Sequence, residues 1–392
     1  MSPTSPRILH LVQSSFGVRN AFGARSYYIA RQFEKGEILA LARHTSPEAA
    51  QRCAVATVGY GDTVAKLLKA VHVYGSSRFP HKAILARRLE RDVLGLLNGS
   101  EALRLSGRES LENYALLPER LELIHTWLRS PRLLPAVREF TRGAPILLDV
   151  SMRPIECLSG GAQAFREDCK GVDYWIAPSQ IAVDTLVGGC GISEERVFLV
   201  PFGVDTELFQ PAREPRAPLG EPRFSVAFSG AVDRRKGIPE LIEAWRQLAL
   251  PDGELHLYGR VYPEVHHALR GARRLKVRLR GFRDLPRELP QHDLFVLPSH
   301  KEGSAKAVYE ALASGLPVVT TPEAGSVVRD GIEGRIVPAG DASALAEAIH
   351  HYYRNPQQRR QAAAAARSRA LSYTWDRYAS RVAQVYQQIS RT

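Results

Sequence analysis

Cysteine is scarce in this chain: there are four in 392 residues, Cys53, Cys157, Cys169 and Cys190. No two lie close enough together to make a zinc pair. Four in a chain of this length are also too few for a disulfide framework, so a reducing cytoplasm is the expected compartment. No apolar run approaches the roughly 20 residues that span a bilayer. The opening Met1 to Arg7 leads into a short apolar strand and not into the core of a secretory leader. Zinc-finger and RNP-type motifs are missing, as is any long unbroken basic run. These absences argue against nucleic acid as a partner.

The length suits two domains, and an apolar content of 44% with 24% charged residues is ordinary for a globular α/β chain. The formal net charge is +12, and it is spread out. Residues 1–200 hold 25 Lys or Arg against 20 Asp or Glu, and residues 201–392 hold 28 against 21. Such an excess suits an anionic nucleotide, an anionic membrane surface or plain solubility.

The most informative stretch runs from Asp293 to Thr321. Asp293 to Ser299 (D-L-F-V-L-P-S) is short, apolar and bounded by polar residues, as a buried strand is. Gly303 and Ser304 open a turn, Ala305 to Ser314 has helical composition, and Gly315 sits where a helix end favours a left-handed residue. Another apolar strand follows Pro317. Strand, turn, helix and strand make the unit of a parallel sheet. The amides at such a helix start suit a diphosphate, and Lys306 adds a cation there. Ala305 to Glu310 covers about 7 Å of helix. A diphosphate at the helix tip can therefore lie between Glu302 and Glu310, with hydroxyl-bearing groups on either side. Read alone, two glutamates eight apart are more often a solvated helix face.

The register of Glu302, seven residues, Glu310, then Ala-Leu-Ala-Ser-Gly-Leu-Pro-Val-Val resembles the signature of family 4 glycosyltransferases. That resemblance implies a GT-B fold: two Rossmann-like domains facing each other across a cleft, with the C-terminal helix crossing back to the N-terminal domain. It implies a retaining transferase that uses a nucleotide-diphosphate sugar as donor and needs no cofactor. Glu310 would bind the ribose and Glu302 would lie near the donor sugar. Gly303, Ser304, Ala305 and Lys306 would meet the diphosphate. Most members carry an aromatic-Gly pair after Glu-Gly, whereas this chain has Ser304-Ala305-Lys306, closer to a subgroup with Pro-Lys.

The rest of the chain is consistent with the same plan. Arg7 to Gln13 reads as a first strand, followed by a loop with Gly17, Arg19 and Gly23 and a helix from Ala24 to Lys35. The family has a Gly-rich loop at this point, so Gly17 and Arg19 are acceptor-side candidates. His81 to Leu97 is an amphipathic helix, with Arg87, Arg88 and Arg91 on its basic face, for anionic lipid headgroups, for a phosphorylated acceptor or simply solvated. Leu121 to Trp127 and Pro145 to Val150 read as strands, with a helix near Pro135 to Arg142 between them. Many relatives end the second of these strands in a His. This chain has none there, which leaves Asp149, Ser151 and Arg153 as acceptor-side candidates. His125 reads as structural. Tyr174 to Ser179 is a strand ending in Pro-Ser, as does the strand ending at Ser299.

Pro201-Phe202-Gly203-Val204-Asp205 resembles the family's interdomain crossing, with a Pro/Arg-rich linker after it. The expected domains are 1–205 with a crossing helix over 374–392, and 206–373. In the second domain, the loop from Gly230 to Gly237 (G-A-V-D-R-R-K-G) resembles the family's diphosphate loop. Lys236 matches its Lys. The Arg position is Ala231, for which Arg235 or Arg234 would substitute. Gly281, Phe282 and Arg283, near the end of a strand over 277–282, match positions whose backbone contacts the nucleobase in the family. There is no Asp-x-Asp motif, which fits a metal-independent reaction. The acceptor would be a glycan, a lipid-linked glycan or a small molecule, with peripheral contact to the inner face of the membrane as a further expectation. Rival readings are a GT-B protein that binds donor without transferring it, a glycogen-synthase-like polymerase, and a sugar-nucleotide epimerase.

Overall fold

The computed structural model describes residues 8–12, 25, 28, 29, 32, 38–42, 57–58, 122–126, 143–150, 161–212 and 224–391. The amphipathic stretch 81–97, the expected helix near 135–142 and the candidates Gly17, Arg19, Ser151 and Arg153 lie outside these residues.

Two parallel sheets organise the described residues. The first contains β1 (Ile8–Val12), β2 (Ile38–Ala42), β3 (Thr57–Val58), β4 (Leu123–Thr126), β5 (Ile146–Asp149), β6 (Tyr174–Ala177) and β7 (Val197–Leu199). Their spatial order is β3-β2-β1-β4-β5-β6-β7. The second contains β8 (Phe224–Ser229), β9 (Gly253–Tyr258), β10 (Val277–Gly281), β11 (Leu294–Leu297), β12 (Val318–Thr320) and β13 (Gly334–Ile336), in the order β10-β9-β8-β11-β12-β13. Every residue of β4, β5, β8 and β11 is buried. That is why these strands are mostly apolar, with His125, Thr126, Asp149, Ser225 and Ser229 the polar residues buried in them: a parallel strand covered on both faces has no polar side to present. Each order reverses direction once, between β1 and β4 and between β8 and β11. A doubly wound sheet leaves a crevice outside its strand ends at that reversal.

The expected strands are observed within one or two residues. Residues 37–75 hold short apolar pieces without a clear pattern, and β2 and β3 come from them. The helix after β6 is short. Helix α2 (Gln180–Asp184), after α1 (Ala162–Asp168), gives way to a wider turn over Thr185–Gly189. There Cys190 N–H reaches the Thr185 carbonyl, five residues back, at 2.9 Å.

In the second half α3 (Ile238–Leu248) follows β8, a short α4 (Leu285–Glu288) follows β10, and α5 (Lys306–Ala313) follows β11. Helix α5 ends as its sequence announces. Gly315 has φ +72°, its N–H reaches the Leu312 carbonyl, and Leu316 N–H reaches Ala311, both at 3.0 Å. Three helices close the chain: α6 (Ala342–Arg354), α7 (Pro356–Leu371) and α8 (Trp375–Ile389). Asp341 caps α6 by accepting from Ala344 N–H at 2.9 Å. Arg367 on α7 donates to the carbonyls of Thr206, Phe209 and Ala313 at 3.0, 2.9 and 2.7 Å, fastening the chain after β7 onto the second unit.

Helix α8 packs on the first sheet. Tyr378 donates to Asp149 at 2.8 Å, Tyr386 Oη lies 2.5 Å from His125 Nδ1, and Ser380 donates to Gln32. At its start Trp375 stacks on Tyr28, with centroids 5.6 Å apart.

Candidate active site

Lys236 and Glu302 come from the two loops that flank the reversal in the second sheet, after β8 and after β11. The first loop is folded by Asp233, whose Oδ1 accepts from Lys236 N–H at 2.9 Å. That short-range bond turns the chain so that Arg235 and Lys236 point across at the second loop. His300 N–H donates to the Arg235 carbonyl at 2.8 Å, and Arg235 Nη1 donates to the Lys301 carbonyl at 3.0 Å, so the two loops are laced together. Lys236 Nζ lies 2.5 Å from Glu302 Oε1, and Arg235 Nη1 bonds the same oxygen. The Glu302 and Lys236 side chains are 7% and 11% exposed, while Arg235 is 36% exposed. The two cations that face this enclosed carboxylate offset the cost of taking it out of water. Arg234, the other candidate for the missing Arg position, is exposed, and the ion pairs of Glu302 are with Arg235 and Lys236.

Helix α5 starts beside the cluster. Its N-cap, Ala305, has no side-chain acceptor for the first amides. Lys306 Nζ stands 5.9 Å from the Trp375 ring centroid. One turn on, Glu310 is half-buried, and burial pushes its carboxyl above the ordinary glutamate range, with Lys306 pulling in the opposite direction. No hydrogen bond to its carboxylate is made among the described residues. Ser304 is buried and its hydroxyl lies 3.1 Å from Tyr309 Oη. The Glu302–Gly303 backbone is held from behind by residues after β12: Glu302 N–H donates to the Glu323 carbonyl at 3.0 Å.

The first unit reaches the same place. Ser179, at the end of β6, caps α2 and donates its hydroxyl to the Gly303 carbonyl at 2.5 Å. Gly325 fits under this contact because it lacks a Cβ, which would stand 2.5 Å from the Gly303 oxygen and 2.9 Å from Ser179 Oγ. Farther along the strand ends, Gly230 N–H bonds the Tyr258 carbonyl at 2.9 Å and Gly259 N–H the Gly281 carbonyl at 2.8 Å. This backbone shelf runs from the cluster towards Phe282 and Arg283, both exposed, with Phe282 at 81%.

Arg235, Lys236, Glu302, Gly303, Ser304, Ala305, Lys306 and Glu310 thus gather around one crevice, with Gly230 on its shelf. Asp149 does not join them. Its side chain is fully buried, pairs with Arg25 at 2.7 Å and accepts from Tyr378, so the acceptor-side expectation for it meets a closed position. Three contributors were not singled out from the sequence: Asp233, Ser179 as a bridge, and Glu323. The repeated Pro-Ser strand ending was the visible signal for Ser179. The other two act through a backbone turn and a carbonyl, which leave no pattern of residue types.

Residues 223–355 match the family model of "Glycosyl transferases group 1". The matched stretch, about a third of the chain, is a domain similar to that family, and the two parallel sheets have the GT-B fold. That domain spans the crevice loops and α5, so the resemblance read from Glu302 and Glu310 holds. The D-inositol 3-phosphate glycosyltransferase 1 of Catenulispora acidiphila is 29% identical over 237 residues, 55% of this chain and 57% of that one. The alpha-maltose-1-phosphate synthase of Mycolicibacterium smegmatis is 29% identical over 309 residues, 68% and 78% of the two chains. The chain spans just over half the length of the first of these curated relatives. Among solved structures, Anabaena HepE in complex with UDP aligns over 97% of this chain and all of its own, with TM-score 0.68 and 17% identity. Sucrose-phosphate synthase of Thermosynechococcus elongatus aligns over 98% and 99%, with TM-score 0.67 and 20% identity. At such identities these structures speak for the fold alone. Among the described residues no helix is long and apolar enough to cross a membrane, and no cluster of side chains is arranged for a metal ion.

Proposed function

We propose that the chain is a retaining, metal-independent glycosyltransferase that takes a sugar from a nucleotide-diphosphate donor and passes it to a hydroxyl of a glycan, lipid-linked or small-molecule acceptor. We divide it at 205/206 into an acceptor-side and a donor-side domain, with 374–392 returning to the first. The observation that carries the reading is the meeting, at one sheet reversal, of Lys236 and Arg235 with Glu302, beside a helix start and a half-buried Glu310 that no described residue hydrogen-bonds.

Chemically, departure of the diphosphate leaves positive character on the sugar ring and negative charge on the phosphate oxygens. Lys236, Arg235, Lys306 and the helix start would stabilise that negative charge as it develops. Glu302 holds both loop cations in place before the donor arrives and would face the sugar once they turn to phosphate. With its charge committed to two cations it is poorly suited to attack carbon, so retention would proceed by same-face attack, with a leaving phosphate oxygen taking the acceptor proton. Glu310 would accept from the ribose hydroxyls. The backbone shelf ending at Phe282 and Arg283 would take the base.

Thermal stability measured against UDP, GDP, ADP and CMP, with and without magnesium, tests the donor half of this reading. A ligand at a hundred times its dissociation constant adds about 2.7 kcal/mol to stability. One diphosphate should stabilise the wild type without magnesium and fail on Glu310→Ala. The lack of any shift would sink it. A second reading, donor binding without transfer, is favoured by the absence of an available His at the end of β5 and by the enclosure of Asp149. Release of free or transferred sugar from the matching donor separates the two.

A further inference from the structure

Strand β10 is the outer edge of the second sheet, and its surroundings have a composition found nowhere else in the described residues. Between 270 and 287 there are eight Lys or Arg against one Asp, and all eight basic side chains are exposed. No more than two are consecutive, so the density does not register as a basic run in the sequence. Four of the eight already have partners. Arg278 pairs with Glu254 at 3.2 Å, Arg280 donates to His256 Nδ1 at 3.1 Å, Lys276 donates to the Pro251 carbonyl and Arg287 pairs with Asp284. Arg270, Arg273, Arg274 and Arg283 have no acidic partner among the described residues.

Apolar side chains break the charge at two points. Leu279 is 52% exposed and Phe282 81%. Between the turn at 269–274 and β10 lies a cleft of about 610 Å³. Leu269, Ala272, Val277 and Leu279 line it together with Arg273, Arg274, Arg278 and Arg280. Exposed charge alone would be explained by an edge strand that must not pair with another sheet. Exposed Leu and Phe work against that purpose, so edge protection does not account for the patch.

We propose that this edge is a docking surface for an anionic phospholipid membrane. Arg270, Arg273 and Arg274 would lie against headgroup phosphates, while Leu279 enters the interfacial layer; Phe282 and Arg283 are left to the nucleobase. A cleft that combines an apolar lining with cationic side chains suits an amphiphile, which carries its anion and its hydrocarbon on one molecule. A nucleic acid would want a ladder of phosphate contacts and faces on which bases stack. Phe282 is the only exposed aromatic of the patch. This inference does not depend on the donor reading and can fail without it.

The test is co-sedimentation of the full chain with vesicles of phosphatidylcholine alone and with about one third phosphatidylglycerol, with a short single-stranded RNA as competitor. The wild type should bind the anionic vesicles and not the neutral ones, and should be released by about 0.5 M salt, where screening is short-ranged. The charge reversals Arg273→Glu and Arg274→Glu together should lower the partition roughly tenfold or more. Leu279→Ser should lower it several-fold, and in both variants the nucleotide-induced thermal shift should match wild type. Equal partition of wild type and the double variant would overturn the proposal, as would no binding to anionic vesicles. Displacement by RNA at a concentration far below that of lipid would assign the edge to nucleic acid instead.

Discussion

The two sheets have the same winding, and each gathers charge at the carboxyl ends of its strands, but the two gatherings differ. In the second sheet Arg235, Lys236 and Glu302 face a crevice, and Arg235 remains 36% exposed. In the first, Arg25, Asp149 and Tyr378 form a set whose charged side chains are 4% and 0% exposed, with Phe202 stacked 4.2 Å over the Arg25 guanidinium. The cover over the first set is α8, a helix from the far end of the chain. One crevice is left open, and the other is filled by the protein itself. The lesson concerns what strand order decides. It fixes where a crevice forms, while the sequence around it decides whether a substrate or the protein's own side chains occupy it. In the first sheet the enclosed ion pair joins the termini of the fold, and a change there should be felt as stability. In the second the ions are partly open, and a change should be felt as binding and turnover.

Asp149→Ala should show the largest effect. It takes the carboxylate away from an enclosed guanidinium and the acceptor away from Tyr378, a loss typically of about 3–5 kcal/mol. Chemical denaturation would measure it, with nucleotide affinity expected within about twofold of wild type wherever the variant is folded. Intact stability with lost transfer would reverse the contrast and return Asp149 to the acceptor side.

Lys236→Ala is the counterpart in the open crevice. Arg235 still faces Glu302, so the fold should hold. Turnover should fall by about 10²–10³, the scale for loss of one group that stabilises developing negative charge. Steady-state rates with the matching donor would show it, and an unchanged kcat would remove Lys236 from the leaving-group site. Tyr378→Phe is smaller again. It deletes one charge-assisted bond to Asp149 and should cost about 1.5–3 kcal/mol of stability, with kcat unchanged.

The comparison also explains which parts were legible in the sequence. The second sheet's strands and the helix that follows Gly303 could be read because burial on both faces, a Gly stop and a glutamate pair all leave patterns of residue type. Gly315 closes α5 in the left-handed conformation that its place in the sequence called for. What could not be read depends on distant parts of the chain meeting. Asp149 and Tyr378 are 229 residues apart, and no local pattern says that a strand-end carboxylate will be sealed by the final helix. Asp233 and Glu323 contribute through a turn and a carbonyl. The arginines of β10 were counted in the net charge, but their concentration at an edge required knowing that β10 is outermost.

The last prediction concerns Glu310 and proton linkage. Burial raises its carboxyl, so the ligand-free fold keeps this proton at pH values where the unfolded chain has released it. Stability from this group is therefore highest below the unfolded value and declines as pH rises through the raised one. Nucleotide binding has the opposite dependence. Ribose hydroxyls donate to the ionised carboxylate, so bound nucleotide favours release of the proton. Affinity should weaken as pH falls through the raised range, and binding there should release a proton to solvent. Nucleotide phosphates also titrate near pH 6, so the decisive quantity is the difference from Glu310→Gln, which has no proton to lose. Calorimetry in two buffers of different ionisation enthalpy reads it directly. The variant should bind more weakly at neutral pH, by about 1–2 kcal/mol, and its affinity should change less with pH. Parallel pH profiles would mean that the carboxylate is not at the ribose, and the open crevice would then lose the feature that most distinguishes it from the closed one.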